Sequence, residues 1–396
     1  MNESKSIWTK NFILIILGNL LMFVSHYFLV SSLPLYITET LNGNEKLVGY
    51  VIGIYCLVSV ITRPLSGYML DNICRKKIVI FALIMYVLCL KYYILASGFL
   101  VLLIIRGVQG FFWGFTSTGF GTIAADLIPC EKTGEGLGYY GISSTIAMAI
   151  GPSIALIIIK HGSFSKLFNT GLVFGILALI SLLFVKYDEN INKKAKKNGK
   201  INISDFFEKE VFWLASIMFF IAITFGAIIS FIIIYGKQIA VTNPGKFFSI
   251  YSTILLCIRP FAGKYFDKNG PVKIMALGFV GGILSFTLLF FAKGDILFDL
   301  AAICMGIMHG ICAPSIIAMA INRVDDTRRG TANATILSAQ DLGIGIGPMI
   351  LGNLSNVIGL AGMYLVCAVI MIIPLVIFYL KETKVYEDLS DVEKVM

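Results

Sequence analysis

His26, Arg63, Lys91, Arg106, Arg259, His309 and Asp341 are the ionisable side chains that fall inside the long apolar stretches of this sequence. A charged group at the centre of a membrane helix costs about 2.5 to 3.5 kcal/mol unless it is paired or hydrated, so each of these positions asks for a use. Asp341, in the tract SAQDLGIGIGP and flanked by Gly343, Gly345 and Gly347, is the only carboxylate well inside such a stretch. A carboxylate there can take up and release a proton or hold a cation; a packing hydrogen bond to a neighbouring helix is the other reading. Arg106, Gln109 and Trp113 follow one another at spacings of three and four, which puts them on one helix face and predicts that this face lines a cavity. Asn19 and His26 are seven apart, and His309 lies mid-stretch; each histidine reads either as a hydrogen-bonded core residue or as a coupling site. Arg63 and Arg259 each lie two turns before a charged loop, where they are expected to snorkel to the membrane edge or to bond local carbonyls. Lys91 is expected to snorkel as well. No nucleophile stands at motif spacing from a base, and no phosphate-binding glycine loop or metal-spaced cluster occurs. The sequence therefore argues against an enzyme, a cofactor and a metal site.

The elements that carry these residues are apolar helices. The 396 residues are 57% hydrophobic and 14% charged, with a mean hydropathy of +0.86, which excludes a water-soluble core. Stretches of about 20 apolar residues cross a bilayer, and twelve are predicted, at 12–36, 46–70, 77–96, 99–126, 136–159, 167–186, 211–236, 246–266, 272–292, 296–321, 332–353 and 360–380. The fold class expected is an all-α membrane protein. The net charge of +9 does not indicate nucleic acid, because most of the 32 Lys and Arg lie in the tails and the even-to-odd loops. That bias places both termini in the cytoplasm. Lys193, Lys194, Lys196, Lys197 and Lys200 form the largest basic cluster, in a cytoplasmic linker at 187–210. The eight cysteines show no metal spacing and read as buried apolar filler.

One charged phrase occurs twice. RPLSGYMLDNICRKK runs from Arg63 to Lys77 and RPFAGKYFDKNGPVK from Arg259 to Lys273, with Arg63 and Arg259, Gly67 and Gly263, and Asp71 and Asp267 all 196 residues apart. AIGPSIA, with Gly151 and Pro152, and GIGPMIL, with Gly347 and Pro348, keep the same offset. Duplication of a six-helix unit explains both, giving an N-terminal bundle at 1–186 and a C-terminal bundle at 211–396. Gly67 removes a side chain where helices must approach closely. Gly151 followed by Pro152 weakens the hydrogen-bond ladder and allows a kink or close crossing, either as a packing bend or as a working part. Asp71, an anion at the membrane edge, is best placed at the N-terminus of another helix, and the eleventh span begins on that side.

These residues resemble the motifs of the major facilitator superfamily over nearly the whole chain. Gly67, Tyr68, Met69, Leu70 and Asp71 with Arg75, Lys76 and Lys77 are similar to its cytoplasmic loop motif. RGVQG, with Arg106, Gln109 and Gly110, is similar to the RxxQG motif of its proton-coupled members, and Ala147 to Pro152 to the GxxxGP motif of its antiporters. Cys74 stands where the loop motif has glycine, Ala147 where the antiporter motif begins with glycine, and Ala155 and Leu156 where it closes with glycines. The helix 11 tract and the RP pairs resemble more distantly a bacterial exporter branch that includes secretion of metal-chelating small molecules.

The resemblance implies the major facilitator fold, twelve transmembrane helices in two pseudo-symmetric six-helix bundles. It implies that Arg75 lies between Asp71 and Asp126 and that the three latch an outward-open state, with Gly67, Gly151 and Pro152 serving the conformational change. The expected function is a secondary active transporter, a monomer of the cell membrane, exchanging protons for an outgoing small organic molecule: a drug, a metabolite or a metal chelator. A proton symporter or facilitator importing a nutrient is the alternative within transport, and a signalling or scaffold protein on the same fold is the alternative outside it.

Overall fold

The computed structural model of the chain describes residues 6–41, 45–93, 98–161, 163–187 and 205–383. The basic cluster from Lys193 to Lys200 and the tail beyond 383 lie outside the described residues. Among these residues, twelve α-helices follow in order: α1 (Lys10–Leu35), α2 (Glu45–Asn72), α3 (Arg75–Tyr92), α4 (Phe99–Leu127), α5 (Thr133–His161), α6 (Phe164–Phe184), α7 (Phe212–Gln238), α8 (Lys246–Asn269), α9 (Pro271–Phe291), α10 (Asp295–Arg323), α11 (Arg329–Ile370) and α12 (Ile372–Ile377). No strand occurs among the described residues.

Helix ends follow local chemistry. Thr9 caps α1 by accepting from the Phe12 amide at 3.2 Å, and Ser163 caps α6 by accepting from the Lys166 amide at 3.4 Å, each satisfying one of the amides that a first turn leaves open. Pro271 occupies the first turn of α9, where its missing N–H costs nothing. The continuous segment from Asp326 to Glu382 is 57 residues long, more than twice the roughly 20 that span a bilayer. It breaks at Gly359, whose φ of 75° is a left-handed conformation that glycine adopts without strain. That break separates the eleventh and twelfth predicted spans.

Among the described residues, eight helical stretches are long and apolar enough to cross a membrane, counting this last segment once. Predicted and observed ends differ by a few residues; α3 starts at Arg75 and α11 at Arg329, each earlier than predicted, because polar residues at a helix start carry no hydropathy signal. The cysteines correct the sequence reading in part. Cys89, Cys312 and Cys367 are buried, but Cys56, Cys130 and Cys257 are exposed, so only some act as filler.

The chain forms two compact units. The first draws on Met1–Pro129, Tyr139–Phe207 and Val324–Ala334. In it α2 and α3 pack on α4, and α1 and α3 pack on α6. Gly110 sets the α2–α4 crossing, since a Cβ there would lie 2.5 Å from the Tyr55 carbonyl oxygen; a side chain would force the helices apart. The second unit draws on Cys130–Gly138, Glu208–Arg323 and Thr335–Met396, with α10 packed on α8 and α9, and α12 on α7. Gly306, 196 residues after Gly110, plays the same part: a Cβ there would lie 2.8 Å from the Tyr251 carbonyl oxygen. Tyr251 is itself 196 residues after Tyr55.

Candidate functional site

In the first unit, α4 presents Arg106, Gln109 and Trp113 along one buried stripe. Arg106 is 1% exposed. Its Nη1 donates to Gln109 Oε1 at 2.9 Å, its Nε to the Val51 carbonyl of α2 at 3.4 Å, and its guanidinium lies 4.1 Å from the centroid of the Tyr55 ring. All these partners are neutral. Among the described residues no ion pair involves Arg106. Gln109 Oε1 also accepts from Tyr93 Oη at 2.6 Å, while Gln109 Nε2 is buried with no hydrogen-bond partner among the described residues. A buried amide donor left open in this way is uncommon and calls for a partner.

The helical spacing does place Arg106 and Gln109 in contact, and Trp113 carries the stripe on to His26 of α1. The His26 and Trp113 rings stack with centroids 4.1 Å apart and planes 16° apart. His26 Nδ1 and Tyr55 Oη form a hydrogen bond of 2.9 Å, and either can donate, depending on the imidazole tautomer. Tyr55 therefore joins the two: its hydroxyl meets the imidazole and its ring face meets the guanidinium. Asn19 is separate in role. It ties α1 to α5, donating to Ser143 Oγ at 2.7 Å and accepting from Tyr140 Oη at 2.8 Å.

Arg63 corrects the expectation that it snorkels. It is 4% exposed and donates across to α4, to Ser117 Oγ at 3.2 Å and Thr118 Oγ1 at 3.4 Å. The hydroxyls lie within reach, so the guanidinium has no need of the membrane edge.

The second unit contains a cavity of about 80 Å³, lined among others by Met218 and Phe225 of α7, Tyr251 and Arg259 of α8, His309 of α10 and Gln340 of α11. His309 Nδ1 and Tyr251 Oη form a hydrogen bond of 3.2 Å, and the Phe225 ring meets the imidazole edge to face at 4.2 Å. Asp341 follows Gln340 and is half-buried. Nearby, a Cβ on Gly343 would lie 2.6 Å from the Ala222 Cβ, so α11 runs close against α7 beside this cavity.

At the loop motifs, carboxylates cap helices. Asp71 accepts from the Gly330 amide at 2.8 Å and the Thr331 amide at 2.7 Å, at the start of α11. Asp267 accepts from the Gly134 and Glu135 amides, both at 2.8 Å, at the start of α5. Donors and acceptors in the two sets differ by the repeat offset of 196. The surrounding charges do not repeat. Arg75 is fully buried and bridges Asp71 at 3.0 Å and Asp126 at 2.6 Å. Asp126 also binds Arg329 at 3.3 Å and accepts from Tyr187 Oη at 2.5 Å. Burial and the neighbouring Asp126 carboxylate push the Tyr187 hydroxyl above its ordinary value, so it remains a donor. Gly67 lies in this contact, where a Cβ would meet the Ala334 Cβ at 2.6 Å. Gly151 does the same on α5, where a Cβ would be 3.0 Å from Tyr27 Cβ of α1. Pro152 lies in α5.

Sequence reasoning missed Tyr55, Tyr93, Tyr187, Tyr251 and Arg329. The first and fourth had a signal: Tyr55 and Tyr251 are 196 apart, as are Trp113 and His309. The others come from separate helices at no characteristic spacing.

The chain matches the Major Facilitator Superfamily over residues 15–295 and 242–394. The chain belongs to this superfamily. This Major Facilitator Superfamily member is 26% identical over 358 residues to the staphylopine export protein of Staphylococcus aureus, covering 86% of this chain and 89% of that protein. It is also 26% identical over 365 residues to a multi-drug resistance efflux pump PmrA homolog of Lactococcus lactis, covering 88% of this chain and 89% of that one. Among solved structures, the fucose:proton symporter FucP of Escherichia coli shares its fold, with a TM-score of 0.78 at 15% identity, covering 92% of this chain and 97% of FucP. The protein is thus a multi-pass, all-α membrane transporter of the major facilitator fold.

Proposed function

We propose that this transporter is a secondary active exporter that uses proton entry to drive a small organic molecule out of the cell by alternating access. The observation that supports this reading is the set of ionisable groups kept inside apolar helices: Arg106 held by neutral partners beside Tyr55 and His26, and the Asp341 carboxylate half-buried in α11. A carboxylate within a membrane helix can take up and release a proton, and that is what a proton-coupled carrier requires. Export rather than import is supported by the names of curated relatives, one for staphylopine export and one for multidrug efflux. The fold it shares with a symporter does not decide direction.

Within this reading Asn19, His26, Arg106, Gln109, Trp113, His309 and Asp341 form the substrate and proton pathway. Asp71, Arg75 and Asp126, with Gly67, Gly151 and Pro152, control the conformational change. Residues 1–186 and 211–396 act as the two bundles, joined by the linker at 187–210. A comparison of compounds held by cells with and without the protein tests the function: cells lacking it retain more of the cargo, and identical contents would refute export. The proposed topology puts the plasma-membrane protein's two termini and the Lys193 to Lys200 segment in the cytoplasm. A single cysteine introduced into that segment should resist an impermeant thiol reagent in intact cells, and labelling there would reverse the orientation.

A further inference from the structure

The repeat supplies an internal control for the polar set around α4. Counting 196 residues on, Ala302 takes the place of Arg106, Met305 that of Gln109 and Leu289 that of Tyr93, and all three are buried. Gly306 and Tyr251 keep the places of Gly110 and Tyr55, so the second unit makes the same helix crossing without the polar groups. The fold requires neither a guanidinium nor an amide at these positions.

What the pair holds follows from the donor left open. Arg106 Nη1 donates to Gln109 Oε1, and because a guanidinium cannot accept, turning the amide over would set two donors against each other. Gln109 Nε2 is thereby fixed as a buried donor on the same amide, with no hydrogen-bond partner among the described residues. Arg106 adds a charge. The Val51 carbonyl, the Gln109 amide and the Tyr55 ring that hold it are neutral, and a buried cation with no opposite charge is costly. A water molecule would satisfy the amide and leave the charge as it is. An anion answers both needs, through charge-assisted hydrogen bonds that gain strength in surroundings of low dielectric. Size is limited by the walls: Val51, Gln109 and Tyr93 are fully buried and Arg106 is 1% exposed, which leaves no way in for an organic body.

We propose that Arg106 and Gln109 Nε2 bind a halide ion between α2, α4 and the end of α3, where the anion is the counter-ion of the buried guanidinium. The site belongs to the first unit alone, and its occupancy does not depend on the direction of transport.

The test uses purified full-length protein in detergent, with sodium gluconate exchanged stepwise for sodium chloride, bromide or acetate at constant sodium concentration, and the unfolding temperature as the readout. Chloride and bromide should raise it along a saturating curve. Gln109→Met, which keeps the chain length and installs the residue found at Met305, should weaken halide binding about tenfold or more, the scale of a lost hydrogen bond to a charged group. Arg106→Gln should abolish the halide response. Crystals grown in bromide should show an anomalous peak within hydrogen-bond distance of Gln109 Nε2. An unfolding temperature indifferent to halide would mean that water fills the position and would overturn the proposal, as would a halide response unchanged in Gln109→Met. Stabilisation by acetate with none by halide would reassign the site to a carboxylate and overturn it as well. If Arg106→Gln fails to fold, Gln109→Met decides.

Discussion

Arg106 shows how a charge is kept inside a membrane helix bundle. Burying an ion costs several kcal/mol even after relaxation, and here the offset comes from a face-on tyrosine worth about 2 kcal/mol when desolvated and from neutral acceptors on Gln109 and Val51. The α4 stripe was legible because 3- and 4-residue spacing places Arg106, Gln109 and Trp113 on one face. Tyr55 and Tyr93 were not, because contacts between helices leave no periodic trace along the chain. Asp341 stood out in the sequence as a lone carboxylate in an apolar tract, and the structure places it, half-buried, next to the cavity residue Gln340. We hypothesise that it carries the coupling proton. Asp341→Asn keeps shape and most hydrogen-bonding capacity but cannot titrate, so gradient-driven transport should fall about tenfold or more while substrate exchange at equilibrium persists. Uphill pumping at the wild-type rate between about pH 6 and pH 8 would reject Asp341 and leave His26, Arg106 and His309 as the candidates; an uncoupling effect of this kind is a difference between energised and passive flux rather than a loss of protein.

At the scale of elements, two loop carboxylates cap two helix starts, and Asp71 in addition pairs with a buried arginine. An anion at a helix N-terminus contributes about 0.3 to 2 kcal/mol, and breaking one side of a buried ion pair costs about 3 to 5 kcal/mol. Asp71 has both roles, through Gly330, Thr331 and Arg75; Asp267 has the amides of Gly134 and Glu135, and Pro271 stands where the repeat would put an arginine. Asp71→Asn should therefore lower transport by about tenfold or more with membrane levels unchanged, and Asp267→Asn should have the smaller effect. Wild-type transport in both Asp71→Asn and Arg75→Ala would reduce these residues to topology charges. The cap on α11 could be anticipated from the chain because an anion at the membrane edge suits a helix N-terminus and the eleventh span begins on that side. Arg329 and Tyr187 could not, since each reaches Asp126 from a segment with no motif. The number of spans was legible from hydropathy; the break between the last two spans, inside α11, depends on the backbone of Gly359, which in sequence is one of 38 glycines.

For the whole molecule, the charge of the cargo and the direction of transport are linked by the membrane potential. One charge crossing 100 mV corresponds to about 2.3 kcal/mol. With an inside-negative potential, a proton entering and an organic anion leaving are both favoured, together about 4.6 kcal/mol, or more than three decades of gradient at about 1.4 kcal/mol per decade. The direct test is cargo movement in everted membrane vesicles, whose lumen corresponds to the outside of the cell, using the compound found to be retained by cells that lack the protein. An imposed acid lumen should drive uptake of that compound against its gradient, and collapsing the proton gradient should release it. Loss of preloaded cargo from the lumen under the same acid gradient would show co-transport with protons into the cell and contradict the account.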